Sequence, residues 1–218
     1  WNLKKFFWMP RIFLYGIQSI TLLKNIFIFH GTGVGGGSLV YANTLLVPPD
    51  QAFESGNWPS SNWKEKLMPF YKQAKKMLGA TQAQYEAETD KILHSCADIM
   101  GKGSSYKRVD VGIYFGESGK KSSDPYFNGK GPERSGCTLC GGCMVGCQFN
   151  AKNTLDKNYL YLAEQLGATI LPEQEVQNIY PLDGGGYQIT IRKSTGINRP
   201  IQKLQSRKVI LSGGVMGT

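Results

Sequence analysis

The chain has 218 residues, 41% of them hydrophobic and 11% aromatic, and carries a formal net charge of +9. That length exceeds the commonest domain size and allows a packed core, and the apolar content excludes a disordered chain. Its lysines and arginines are scattered (Lys4, Lys5, Lys75, Lys76, Lys120, Lys121) rather than blocked, which excludes a nucleic-acid arm and leaves a basic surface suited to water or an anionic membrane face.

Residues 1–29 are apolar in patches, but Lys4, Lys5, Arg11 and Lys24 interrupt them. No uncharged run reaches the roughly 18 residues that span a bilayer, and no signal-peptide pattern is present. A strand is predicted over Asn25 to Phe29, then a glycine-rich loop from Gly31 to Gly37. Ser38 is placed to cap a helix starting at Leu39 that Pro48-Pro49 stops. Apolar residues at helical spacing predict a helix from Trp63 to Gly79. A second is expected from Ala87 to Met100, with Ile92, Leu93, Cys96 and Ile99 on one face.

Val109 to Phe115 alternates like a strand, and Gly116 to Gly136 reads as loop. A helix is expected from Leu155 to Leu166. Strands follow at Ala168 to Leu171, Glu175 to Tyr180, Tyr187 to Arg192 and Lys208 to Ser212, with turns at Gly184-Gly185-Gly186 and Gly196. The order of elements predicts an α/β protein with a β-meander. The chain opens without methionine at Trp1 and stops at Thr218 just after a predicted strand, so it reads as an internal piece of a longer protein.

The run Gly31-Thr32-Gly33-Val34-Gly35-Gly36-Gly37-Ser38 is the first feature with chemical content. Glycines let backbone N–H groups approach a phosphate closely, and a helix start adds favourable partial charge. The run lacks the Lys-Ser/Thr end of a nucleotide-hydrolysing loop and the distal acidic residue of a dinucleotide fingerprint. Read from spacing alone, it is either a ligand cradle or a tight turn without a ligand. His30 abuts it, either as a base or as a loop-end residue bonded to backbone, and His94 on its helix reads as structural or solvated.

Four of the five cysteines form Cys137-x2-Cys140-x2-Cys143-x3-Cys147. The spacing is that of a ferredoxin run, although Gln148 stands where such runs carry proline and no second run exists. An iron–sulfur cluster, four-thiolate zinc, and a glycine-rich structural loop with reduced or paired thiols all remain open. An odd number of thiols fits a reducing, cytoplasmic compartment.

The segment from His30 to Pro48 resembles the second flavin-contacting loop of the glucose-methanol-choline oxidoreductases, nearest their cholesterol-oxidase-like branch. Residues 63–79 (WKEKLMPFYKQAKKMLG), 137–164 (through AKNTLDKNYLYLAE) and 208–218 (KVILSGGVMGT) extend the match in order. The resemblance implies FAD as cofactor and a small-molecule alcohol as substrate, a sterol or another bulky apolar one. It implies FAD contacts at Gly33, Val34, Gly35, Gly36, Ser38, Asn43 and Thr44, at Val176 toward adenine, and at Gly213 and Gly214 beneath the cofactor. It assigns no role to Tyr41.

The family's N-terminal GxGxxG and C-terminal His/Asn pair are absent here, so no catalytic residue is assigned and this chain alone is expected to be inactive. The implied fold is part of a Rossmann-like FAD domain over residues 1–50, part of an α+β substrate domain over 51–136, and a cysteine-rich loop returning to the FAD domain over 137–218. The competing reading is an iron–sulfur electron-transfer or metal-binding module built on the cysteine run.

Overall fold

A computed structural model describes residues 2–55, 58 and 62–217. Trp1 and Thr218, which bound segments read from the sequence, lie outside the described residues. In chain order the elements are α1 (Leu3–Phe6), β1 (Trp8–Met9), β2 (Leu14–Tyr15), β3 (Gln18–Leu22), β4 (Phe27–Gly31), α2 (Asp50–Glu54), α3 (Trp63–Met77), β5 (Thr81–Gln82) and α4 (Glu88–Ile99). Then come β6 (Asp110–Val111), β7 (Lys121–Ser122), β8 (Arg134–Ser135), α5 (Tyr159–Gln165), β9 (Gln174–Pro181), β10 (Tyr187–Lys193), β11 (Ile201–Ser206) and α6 (Gly214–Gly217). The protein is thus a mixed helix-and-strand chain. Contacts divide it into two compact units, residues 1–29 with 169–218, and residues 30–168.

The main sheet of the first unit is the expected meander, in the order β11-β10-β9 with antiparallel neighbours. Its first turn is built on the triple glycine: Leu182 donates to the Gly186 carbonyl (3.0 Å), and Gly185 and Gly186 take the left-handed φ values that suit glycine. A bulge separates the pairs Thr190–Asn178 and Ile191–Val176, and Ile191 is buried there. Two predicted strands do not form. Among the described residues no strand lies beside 208–212, which run irregularly into α6 and leave Ile210 and Leu211 exposed. Ala168 is taken up by helix closure instead, its N–H reaching the Ala163 carbonyl (3.0 Å) behind left-handed Gly167.

In the second unit α3 and α4 form where periodicity places them, and α3 closes at Gly79, whose φ is +57°. The apolar face expected to bury α4 stays open, with Ile92, Leu93 and Ile99 all exposed, Ile99 at 86%. A stripe shows only what a helix can bury, and among the described residues no element covers this one. The strand expected over 109–115 shortens to β6, yet its backbone stays engaged. Gly112 donates to Asn43, Tyr114 to Ala151, and Asn153 back to Gly112.

The Leu155–Leu166 helix begins as a 3-10 turn at Leu155–Lys157 and becomes helical only in α5. The unit's interior is mostly polar. Among its described residues Val111, Ile113 and Ala151 are the buried apolar ones, beside buried Asn43, Arg134, Lys152, Asn153, Thr154 and Asn158.

The region read as loop, 116–136, contains the β7–β8 pair and one dense knot. The Asp124 carboxylate accepts from the backbone N–H groups of Tyr126, Phe127, Gly129 and Gly131 at 2.8–3.0 Å. Burial alone raises its pKa, but the four donors outweigh that and hold it below the usual carboxylate range. Asp124→Ala is expected to cost about 2 kcal/mol in urea unfolding. The Asp124 contribution is present above the ordinary carboxylate pKa and disappears as pH falls through the depressed folded value, so the wild-type and variant unfolding curves should converge in acid.

Candidate functional site

The glycine loop leaves β4 at Gly31. Gly33, Gly35 and Gly36 sit at φ of +141°, +104° and +54°, conformations that a side chain disfavours. Gly36 donates to the Gly33 carbonyl (2.9 Å) and Ser38 to that of Gly35 (3.2 Å), closing a 3-10 turn over Gly36–Leu39. The helix expected from Leu39 does not follow. Val40 and Tyr41 both donate to Gly37, then Asn43 turns left-handed (φ +68°) and Thr44 bridges to Val111.

Ser38 therefore does not cap a helix. Its hydroxyl donates to the Gly35 carbonyl (2.7 Å) and accepts from the Leu155 N–H (2.9 Å), pinning the loop to the 3-10 turn at 155–157. Among the described residues the backbone N–H groups of Val34 and Gly35 have no acceptor. The buried side-chain oxygen of Asn43 has no partner either. A Cβ built on Gly36 or Gly37 would meet nothing within 4 Å, so the loop's outer edge is open.

Beneath the loop lies a buried anchor that the sequence did not announce. Lys152, 1% exposed, donates to the Leu39 carbonyl (3.0 Å) and the Cys143 carbonyl (2.8 Å), with its ammonium 4.6 Å from the centre of the Tyr41 ring. The Tyr41 hydroxyl donates to the Asn153 carbonyl (2.9 Å).

Arg134, 2% exposed, reaches the Asn150, Ala151 and Lys152 carbonyls at 2.8–3.0 Å and the Asn153 side-chain oxygen at 2.6 Å. Asn153 then donates to the Gly79 carbonyl and the Tyr126 hydroxyl, tying in the end of α3. Burial lowers the pKa of Arg134, of Lys157 and of Lys152, the last to about 8. Burial, with the Cys143 thiol beside it, pushes Tyr41 up to about 12. Asp156 is the carboxylate among these cations, and its Oδ1 would lie 3.4 Å from a Cβ on Gly35.

Of the residues expected at a cofactor, Gly33, Val34, Gly35, Gly36, Ser38, Asn43 and Thr44 are brought together in the second unit. Val176 lies on β9, and Gly213 and Gly214 lie at the start of α6, all three in the first unit. His94 is half-exposed, stacked on Tyr106 at 4.3 Å between ring centres and 4.0 Å from Asp98. That placement agrees with its reading as structural or solvated. His30 sits on β4 and has interaction partners of its own.

The metal expected at Cys137, Cys140, Cys143 and Cys147 finds no support. Among the described residues no group of three or more His, Cys, Asp or Glu is arranged to hold an ion. Left-handed Leu139 and Gly141 and the kink at Gly146 spread the thiols along the wall of a cavity of about 390 Å3. Cys137 accepts from the Leu139 N–H and Cys147 from the Ala151 N–H, both at 3.4 Å. Burial raises the pKa of both thiols. For Cys147 the N–H groups of Lys152, Ala151 and Phe149, with the Lys157 charge, reverse the shift and leave it lowered, whereas Cys137 stays raised.

The whole chain has relatives among enzymes. The chain is 43% identical over 225 residues to a cholesterol oxidase of Mycobacterium tuberculosis, and 40% identical over 229 residues to one of Acinetobacter baumannii. Both alignments cover all of this chain and, respectively, 39% and 41% of the relative, so the chain spans about two fifths of the length of the curated proteins it matches. The resemblance to the cholesterol-oxidase-like branch therefore holds from end to end. No family model matches the chain. Among the described residues no helix is long and apolar enough to cross a membrane.

Proposed function

We propose that the chain belongs to an FAD-dependent oxidoreductase of alcohols, with a sterol 3-hydroxyl or another bulky apolar alcohol as substrate. The observation that carries this reading is the whole-chain similarity to cholesterol oxidases. FAD, when bound, supplies the acceptor for a hydride from the carbinol carbon.

The residues of the glycine loop fit such a group. Val34 and Gly35 offer free backbone N–H groups, Asn43 offers an unpartnered side-chain oxygen, and the edge at Gly36 and Gly37 is open. Ser38 and Lys152 hold the loop in place from below, so its donors are oriented before any ligand arrives. The cations of Arg134, Lys152 and Lys157 favour an anionic group nearby.

In this reading Val176, Gly213 and Gly214 complete the cofactor contacts within a Rossmann-like domain. Residues 51–136 contribute to the substrate domain, and the protein works in the cytoplasm with its basic surface near a membrane face.

The test is an absorbance spectrum of the full-length protein, followed by anaerobic addition of a sterol and of a short alcohol. Paired flavin bands that bleach with the sterol are expected. Gly35→Ala, which places a Cβ 3.3 Å from Leu39 and Ser38 Oγ at a φ of +104°, should weaken FAD retention about tenfold. A colourless protein, or flavin bands that no alcohol bleaches, would overturn the reading.

A further inference from the structure

We propose that Cys147 is a nucleophilic modification site that takes apolar soft electrophiles through the cavity of the cysteine loop. The cavity's position suits this chemistry. All four loop cysteines line it, and the rest of its wall includes the apolar side chains of Ile113, Leu139, Phe149 and Ala151. Such a wall admits an apolar reagent and excludes a charged one.

Within that wall the thiols are not equivalent. Cys147 lies against the backbone N–H groups of Phe149, Ala151 and Lys152, with Lys157 and Arg134 close enough to favour negative charge on its sulfur. Cys137 accepts from one N–H, and Cys140 is exposed to water. A sulfur held among donors and cations is the one that reacts as thiolate.

Two further wall residues are polar. Thr138 lines the wall, but its hydroxyl oxygen is buried away from the cavity, so it adds no polar handle there. Lys152 also lines the cavity, but its ammonium already donates to two carbonyls, so the amine does not compete with the thiolate.

The step is a conjugate addition. The Cys147 proton leaves to solvent, and a sulfur electron pair forms the bond to the β-carbon of an α,β-unsaturated carbonyl. The carbon–carbon π pair moves to the α-carbon, which takes a proton from water. The thiol is thereby added across the double bond, with nothing oxidised or reduced.

The experiment is residue-resolved labelling of the full-length protein at neutral pH. Substoichiometric N-phenylmaleimide is compared with a maleimide carrying a quaternary ammonium, and each cysteine-containing peptide is quantified by mass spectrometry. Cys147 should react with N-phenylmaleimide at least tenfold faster than exposed Cys96, and the cationic reagent should erase that preference. Cys147→Ser should remove the fast phase and leave Cys96 unchanged. The wild-type comparison stands even if that variant fails to fold. Labelling of Cys96 or Cys140 ahead of Cys147, or equal preference with both reagents, would overturn the proposal.

Discussion

Replacing Arg134 with methionine should unfold the second unit at much lower urea, with a loss on the order of 4 kcal/mol. The loss comes from the acceptors left behind. Arg134 makes four hydrogen bonds, and their acceptors are three main-chain carbonyls and the Asn153 side chain; Ala151, Lys152 and Asn153 are buried, and Asn150 is partly so. Methionine fills the space and supplies no donor, so the buried acceptors lose their partner in a place that water does not reach.

The damage then spreads. Asn153 holds the Gly79 carbonyl and the Tyr126 hydroxyl, and Tyr41 holds Asn153 in turn. Lysine at 134 should recover only part of the loss, because one ammonium cannot reproduce the planar fork that serves four acceptors. Urea midpoints of wild type, Arg134→Met and Arg134→Lys give the check. A loss below about 1 kcal/mol for the methionine variant would mean that the carbonyls find other donors.

Lys152 should reveal itself through pH. Burial lowers its folded pKa to about 8 from an unfolded value of 10.5. Between those two values the unfolded chain holds a proton that the folded chain has released, so stability rises with pH across that window. The gain from this one group is on the order of 3 kcal/mol. Tyr41 acts with the opposite sign. Its folded pKa of about 12 exceeds the unfolded 10.0, so its contribution is complete below pH 10 and declines as pH climbs toward 12.

Wild-type stability should therefore climb from pH 8 and level off near pH 10. Lys152→Met should flatten most of the climb, leaving a smaller rise from Lys157, whose pKa burial also lowers. Chemical denaturation at half-unit steps from pH 7 to 10.5 decides it, and a variant that keeps the full climb would refute the assignment to Lys152.

The sequence was informative wherever a local rule settles the outcome. Helical spacing placed α3 and α4, and the triple glycine placed the turn between β9 and β10, because each needs little beyond its own residues. The glycine loop was legible for the same reason, since positive φ at Gly33, Gly35 and Gly36 is a demand on residue type.

Strands at 168–171 and 208–212 were misread because a strand exists only beside a partner, and apolar runs alone do not name one. The helix after Ser38 failed because the serine hydroxyl was drawn to Leu155, 117 positions away. Arg134, Lys152 and Asn153 were invisible as core residues. Hydropathy assigns such side chains to the surface, and only the folded chain supplies the carbonyls that make burial tolerable.

The polar interior of the second unit has a thermal consequence. Unfolding usually raises the heat capacity because oily surface meets water, while newly wetted amide and charged surface pulls the other way. With Val111, Ile113 and Ala151 as the buried apolar ones among its described residues, this unit releases comparatively little oily surface. Its heat-capacity increment should fall below the customary ~12–15 cal/mol/K per residue, and its stability should bend only gently with temperature. Such a scaffold holds the loop above it nearly as firmly in the cold as in the warm.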